Sequence, residues 1–214
     1  MCFDAKTSMS TGLIGLALSA FLIIRNNPND RYLGIFFLTV TPMQFLEYLM
    51  WKGENNPALN IFATKFAYIL LWLQPVCMCV MAAIWANIRI PAYLLVIFSL
   101  IPLSSLLSAI NFTFNQNPED DEKWISKPGS QGHLNWAFFN IPNISDSFNW
   151  KYFGPGFIFL FLIPFWKGLI VYLTFYLSLK IVISQTETGG HFGSLWCWAV
   201  NFFLIIYILM NSRK

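Results

Sequence analysis

The sequence predicts an all-α membrane protein that crosses the bilayer seven times, as a single domain covering residues 1–214. Hydrophobic residues make up 57% of the chain and charged residues only 11%, with a mean hydropathy of +0.56. A soluble domain carries roughly a quarter charged residues. The apolar residues also fall into runs of the length that a bilayer core of about 30 Å requires. The lipid bilayer is therefore the predicted surrounding of most of the chain.

The individual helices follow from these apolar runs and from the turn signals between them. Four runs are clear in the first half of the chain. A later stretch, 152–184, is about half longer than one crossing needs at 1.5 Å per residue, and Pro164, Lys167 and Gly168 supply a break inside it. A six-span chain, with that stretch as one helix, is the alternative. The predicted helices are 7–24, 32–51, 61–85, 90–110, 152–166, 168–184 and 193–210.

The basic residues predict the orientation, because Lys and Arg are enriched in the inner loops of membrane proteins. With the N-terminus outside and the C-terminus inside, the inner face receives six basic residues and a single acidic one, Asp30. The six-span alternative would leave Arg213 and Lys214 outside. The inner basic residues are Arg25, Arg31, Arg89, Lys167, Arg213 and Lys214.

A polar stretch at about 111–151 is predicted to form an outer loop between the fourth and fifth helices. It contains the acidic run 119–122, so we expect the loop to lie in water. Two glycosylation sequons, at Asn111 and Asn143, agree with an outer location. Short sequons also occur by chance, and Asn111 lies close to the predicted membrane surface.

Glu47 is the main candidate functional residue, because it is the only acidic residue inside a strongly hydrophobic segment. An ionisable group inside the membrane is costly unless it is paired or wetted. Gln44 lies three positions earlier, on the same helical face. Gln74 lies near the middle of the next helix, before Pro75, which frees a backbone carbonyl to which a neighbouring amide such as Gln44 can bond.

Lys65 is a candidate counter-ion for Glu47. Glu47 lies roughly 6 Å below the outer end of its predicted helix, and Lys65 lies at about the same depth in the following helix. An ion pair between them would neutralise both charges. As the alternative, Lys65 extends alone to the membrane surface, and Glu47 is protonated or hydrogen-bonded.

Gln44, Glu47, Lys65 and Gln74 together predict a polar cluster with one of two functions. In the first, they line a cavity, open to the outer side, that binds or conducts a small polar or cationic solute or a proton. In the second, the polar groups only join helices, an interaction worth about 0.6–2 kcal/mol. The protein would then be a structural or interaction protein of a viral or organellar membrane.

The sequence predicts neither an enzyme nor a nucleic-acid-binding protein, and no cofactor or metal. The predicted helices contain no Ser/His, paired-Asp or His-metal arrangement. The net charge is only +3, without a basic cluster. His133 and His191 are isolated, and the four cysteines lack the spacing of a metal site or a disulfide framework. The last predicted helix has no lysine to bind retinal.

Several short motifs occur in order along nearly the whole chain and together resemble a known family. That family is an uncharacterised seven-helix membrane family, whose members often begin Met-Cys-Trp-Ser and occur in large DNA viruses and in algae or other protists. The resemblance implies seven helices and a host or viral membrane, and it implies no activity. Here Phe3-Asp4 replaces Trp-Ser and the loop lacks the relatives' additional cysteines, so a shared loop disulfide is in doubt. The motifs are Met1-Cys2-Phe3, Met43-Gln44-x-x-Glu47, Gln74-Pro75, Gly132-His133-Leu134-Asn135-Trp136, Leu162-Ile163-Pro164-Phe165-Trp166-Lys167-Gly168 and Ser194-Leu195-Trp196-Cys197.

Overall fold

The computed structural model describes residues 4–86, 90–129, 132–140 and 201–211, and 83% of these residues are helical. Four candidate spans are long and apolar enough to cross a membrane. This confirms a helical protein with several candidate membrane-crossing segments. The predicted helices 152–166 and 168–184, residues 193–200 of the last predicted helix and the sequon at Asn143 lie outside the described residues.

α1 (Ala5–Arg25) begins and ends with polar caps. The Asp4 carboxylate accepts a hydrogen bond from the backbone N–H of Thr7 (2.6 Å), which satisfies a donor that a helix start leaves unpaired. At the other end Asn26 adopts the left-handed conformation (φ 51°), which stops the helix. Most of the buried face of α1 is small, so neighbouring helices approach it closely. The buried residues are Ser8, Thr11, Gly12, Gly15, Ser19 and Leu22.

A proline divides the second predicted helix into α2 (Asp30–Val40) and α3 (Pro42–Lys52). Pro42 has no backbone N–H, so one helical hydrogen bond cannot form at this point. Thr41 nevertheless keeps helical backbone angles, and its N–H still bonds within α2. The two helices therefore form one candidate span, Asp30–Asn55, which ends in a short 3₁₀ turn.

α4 (Pro57–Trp85) is the central helix and packs against α2, α3 and α5 (Ala92–Phe114). Asn56 caps its start by accepting a hydrogen bond from the backbone N–H of Leu59. α4 and α5 each contain an internal proline and remain helical through it. Both helices extend beyond the predicted boundaries at the end of the bundle where α4 begins, which we call the loop end. The opposite end is called the Arg25 end.

The predicted outer loop contains short regular elements as far as it is described. Two 3₁₀ segments, Pro118–Trp124 and Ala137–Asn140, flank a two-stranded antiparallel sheet. Its strands are β1 (Lys127–Pro128) and β2 (Leu134–Asn135), with Lys127 opposite Asn135. These elements fold the segment back onto the end of the helical bundle.

An aromatic cluster joins this segment to α4 and α5, so several of its side chains are buried against the helical bundle and do not contact solvent. Trp124, Trp136 and Phe138 are each at most 1% exposed. The Tyr68 ring of α4 lies 5.7 Å from Trp124 and 5.3 Å from Phe138, and Phe112 of α5 also meets Trp124. We call these five residues the aromatic cap. Other positions of the loop are exposed, among them Glu119, Glu122 and Asn117.

The C-terminal helix (Asn201–Met210) runs in the same direction as α1. Near its start, the side-chain amide of Asn201 donates to the backbone carbonyl of Thr11 (3.2 Å). Near its end, the Arg25 guanidinium donates to the carbonyl of Ile208 (3.3 Å), and the Tyr207 hydroxyl lies 3.1 Å from a carboxylate oxygen of Asp30. Contacts at both ends therefore fix the direction of this helix.

Candidate functional site

A buried polar cluster lies where α1 packs on α3. It consists of Ser8 and Thr11 of α1 together with Gln44 and Glu47 of α3. Glu47 is 0% exposed and Gln44 is 2% exposed. The side chains meet because Gly12 of α1 has no Cβ: an added Cβ would lie 3.1 Å from the Cβ of Gln44. Glycine therefore allows the close approach on which the cluster depends.

Two side-chain hydrogen bonds connect the helices within this cluster. The Thr11 hydroxyl donates to the side-chain carbonyl oxygen of Gln44 (2.7 Å). The Ser8 hydroxyl lies 3.5 Å from a carboxyl oxygen of Glu47, a longer and weaker contact. The hydroxyls also reach backbone carbonyls of α1, as is common for Ser and Thr inside helices. The Glu47 carboxyl thus has the Ser8 hydroxyl oxygen as a neighbour across the helix interface.

Gln74 is also buried, at 3% exposure, on the face of α4 that includes Pro75. The three residues expected to line an open cavity are thus all closed to solvent in this structure. The predicted cavity open to the outer side is therefore not seen, because helix packing excludes solvent from Gln44, Glu47 and Gln74. The region is still polar, but it is closed to solvent.

Lys65 does not join the cluster but pairs with Asp121 of the loop, with 2.5 Å between Nζ and Oδ1. The predicted Glu47–Lys65 pair is therefore corrected. On α4 the adjacent Thr64 is 0% exposed and faces the bundle, whereas Lys65 is turned by about 100° around the helix axis. Depth alone suggested the Glu47 pair, but the rotation of α4 about its axis directs the Lys65 ammonium to Asp121 of the loop.

The signal on α1 was missed by the sequence reasoning. Ser8 and Thr11 lie three residues apart and continue into Gly12 and Gly15 at helical spacing, which marks a packing face of small residues. That pattern could have identified α1 as the neighbour of Glu47. The C-terminal helix also reaches this region, through the bond from Asn201 to Thr11.

A second polar network holds the loop on α4. The side chain of Asn60, 1% exposed, donates to the backbone carbonyls of Met50 (3.0 Å) and Ser126 (2.9 Å). Its oxygen accepts from the backbone N–H of Ser126 (2.8 Å), and the hydroxyls of Thr64 and Ser126 lie 2.9 Å apart. The Ser126 hydroxyl also accepts from the N–H of Ala137. With its polar groups paired in this way, the network is structural in character.

Comparison of the chain with protein-family models, with curated proteins and with solved structures finds no match. The function must therefore be argued from the chain's own geometry.

Proposed function

We propose that the chain is a multi-pass integral membrane protein with seven spans, its N-terminus outside and its C-terminus inside. The direction of the C-terminal helix supports an odd number of crossings, because odd-numbered crossings share the direction of the first. Four crossings precede the loop, and the predicted helices 152–166 and 168–184 bring the total to seven. A six-span chain would have the opposite parity. The bias of basic residues towards one face supports the orientation.

Reporter fusions test this topology. A glycosylation acceptor inserted beside Glu54, in the turn before α4, is expected to be modified on the outer side. The same acceptor placed after Lys214 is expected to remain unmodified. Modification of the second site, or of both, would contradict the proposed orientation or number of spans.

In the proposed function, the buried polar cluster around Glu47 binds a proton or a small cation. Complete burial of the Glu47 carboxyl carries the proposal. Removing a carboxylate from water costs several kcal/mol, so binding of a proton or a small cation at a buried carboxyl is favourable. Because the site is closed, exchange with water requires α1 and α3 to separate. A site of this kind can couple ion binding to helix movement, as a transporter or channel requires.

The test uses the full chain in lipid vesicles under an imposed proton or sodium gradient. Wild-type protein is expected to conduct one of these ions, and Glu47→Gln is expected to abolish the flux because the amide keeps the shape but cannot exchange a proton. Glu54→Gln is the matched control, since Glu54 is exposed in the turn after α3. Flux that persists in Glu47→Gln, or is lost equally in Glu54→Gln, would contradict the proposed site.

The second candidate is a structural or interaction protein of a viral or organellar membrane. The bond from Thr11 to Gln44 favours it, because hydroxyl–amide bonds between helices occur for stability alone. Thr11→Val keeps the shape and removes the donor. A loss of stability in this variant, together with wild-type vesicles that conduct neither ion, would support the structural candidate and exclude the first.

Membership of the Met-Cys-Trp-Ser family, and with it a host or viral membrane as the location, is likewise proposed. The support is the order of the shared motifs, two of which contain residues of the polar region, Gln44, Glu47 and Gln74. Immunogold microscopy of infected and uninfected algal or protist cells that contain the protein tests the location. Labelling restricted to soluble compartments would contradict it.

A further inference from the structure

A groove at the loop end lies on the opposite face of α4 from the buried polar cluster. It has a volume of about 230 Å³ and is formed by α4, the end of α5 and the acidic 3₁₀ segment. Its walls contain three phenylalanines, Phe62, Phe66 and Phe114, whose side chains are 50%, 43% and 65% exposed. The Lys65–Asp121 pair lies in the same groove. Apolar walls thus adjoin one positive and one negative charge.

The length of α4 places this groove at the membrane surface. The helix has 29 residues, which at 1.5 Å each extend for about 43 Å, against a bilayer core of about 30 Å. Residues 66–85 contain no charged side chain and are enough for one crossing of about 20 residues. Lys65 is the residue before them. It therefore marks the level of the lipid headgroups, with Phe66 at the top of the hydrocarbon.

The two charges are partly accessible to solvent. The Lys65 side chain is 21% exposed and that of Asp121 is 38% exposed, and one ion-pair contact joins them. The Lys65 ammonium also lies over the Trp124 ring, 5.9 Å from its centroid. An exposed pair of this kind contributes little to stability, because both groups remain close to water. A ligand that offers an anion to Lys65 and a cation to Asp121 can replace the internal pair without leaving either charge uncompensated.

We propose that this groove binds a phosphatidylethanolamine molecule of the bilayer. The phosphate contacts the Lys65 ammonium, the ethanolamine ammonium donates hydrogen bonds to the Asp121 carboxylate, and an acyl chain lies along Phe66 and Phe114. Phe62, three residues outside Lys65 on α4, lies beside the headgroup. Gln116 adds a donor, because its side-chain oxygen already accepts the Trp124 indole N–H (2.6 Å) and its amide nitrogen is left to bind the phosphate.

The surrounding charges favour a zwitterionic headgroup over an anionic one. Asp121 belongs to the acidic run 119–122, so a lipid with net negative charge would meet like charges beside the single lysine. A choline headgroup is neutral overall but has no N–H to donate to Asp121. The proposal depends on the membrane setting of α4 and is independent of ion binding at Glu47.

Native mass spectrometry of the full chain in detergent measures this preference with lipids of one acyl composition. Phosphatidylethanolamine is expected to bind more tightly than phosphatidylcholine, and about fivefold or more tightly than phosphatidylglycerol. Lys65→Met is expected to weaken phosphatidylethanolamine binding by a similar factor, and Asp121→Asn to remove the discrimination against phosphatidylglycerol. Lys52→Met and Glu54→Gln change exposed charges at the same end, outside the acidic run, and are the controls.

Equal affinity of the wild type for the three lipids would overturn the proposal, as would unchanged binding in both groove variants. A second measurement needs no variant. Wild-type protein is irradiated with phosphatidylethanolamine that carries a photoreactive group on an acyl chain. Adducts are expected on the peptide containing Phe66 or on the one containing Phe114. Adducts confined to other peptides would also overturn it.

Discussion

Two ion pairs, one near each end of the bundle, differ in burial and in the number of their hydrogen bonds. At the Arg25 end, Asp30 is 0% exposed and accepts two bonds from the Arg25 guanidinium, 2.6 and 2.8 Å long. The Tyr207 hydroxyl adds a third contact from the C-terminal helix. At the loop end, Lys65 and Asp121 make one contact and both remain partly exposed.

This difference indicates two distinct roles for charge in the molecule. Breaking a buried and fully bonded pair leaves an uncompensated charge away from water, so the Arg25–Asp30 pair is a structural connection between α1, α2 and the C-terminal helix. The exposed Lys65–Asp121 pair contributes little to stability. Its charges are therefore free to serve a ligand without loss of the fold, which is consistent with the proposed lipid site.

The largest expected effect follows from removing the charge of Asp30. Asp30→Asn leaves the Arg25 guanidinium partly buried beside a neutral amide, which is expected to destabilise the fold by about 3–5 kcal/mol. Unfolding of the detergent-solubilised protein by increasing denaturant measures the loss. Asp121→Asn is the matched control at the other end. Equal losses for the two variants would remove the distinction between the pairs.

The next effect concerns the loop that carries Asp121. Asn60→Ala removes three hydrogen bonds between α4 and its neighbours, at Met50 and Ser126. The groups left unsatisfied are expected to lower stability by about 1–3 kcal/mol. Limited proteolysis should then cut the segment 115–140 more rapidly than in the wild type. Asn55→Ala, at an exposed position, is the control, and the network would be unimportant if both variants were cut alike.

A smaller effect is expected from Lys65→Met, which removes the exposed pair but keeps much of the side-chain length. The expected change in unfolding free energy is below about 1 kcal/mol, because the pair is partly solvated. The same denaturant titration measures it. A loss as large as that of Asp30→Asn would show that the pair at the loop end is structural after all.

The smallest effect is local, at the start of α1. The hydrogen bond from the Thr7 backbone N–H lowers the pKa of Asp4 from its ordinary value of 3.8. Its ionised form therefore stabilises the first turn above that value, and the contribution is lost as the pH falls through the lowered pKa. Hydrogen exchange at Thr7, corrected for the intrinsic rate, should accelerate only in that acid range. Asp4→Asn caps the helix without titrating, so a pH step that persists in this variant would exclude Asp4 as its origin.

Helix positions in the first half of the chain, where the structure describes them, were largely predictable. The prediction 7–24 corresponds to α1 (Ala5–Arg25), and 61–85 lies inside α4 (Pro57–Trp85). The division at Pro42 was not predicted, since a proline at the start of a helical turn leaves the apolar run unbroken. The sequence also suggested that Lys65 and Glu47 lie at similar depths. In the structure, however, Lys65 pairs with Asp121 and not with Glu47.

The burial of the aromatic cap could not be predicted from the composition of the loop. Trp124, Trp136 and Phe138 lie in a segment that is acidic overall, and average polarity placed the whole segment in water. Trp124 follows Lys123 and Trp136 follows Asn135 in the sequence, and the Asn60 network holds this segment on α4. Composition describes only the average polarity of such a segment, whereas packing decides for each side chain whether it is buried or exposed.

The sequence by itself determined the helical class and the candidate spans. These properties depend on how the length of one apolar run compares with the thickness of a bilayer, so each segment can be interpreted without the others. Only the tertiary structure decided that Glu47 meets Ser8, that Lys65 meets Asp121 and that the loop covers the bundle. Those choices depend on how each helix rotates about its axis and on contacts between residues 39 to 66 positions apart, which no single segment specifies.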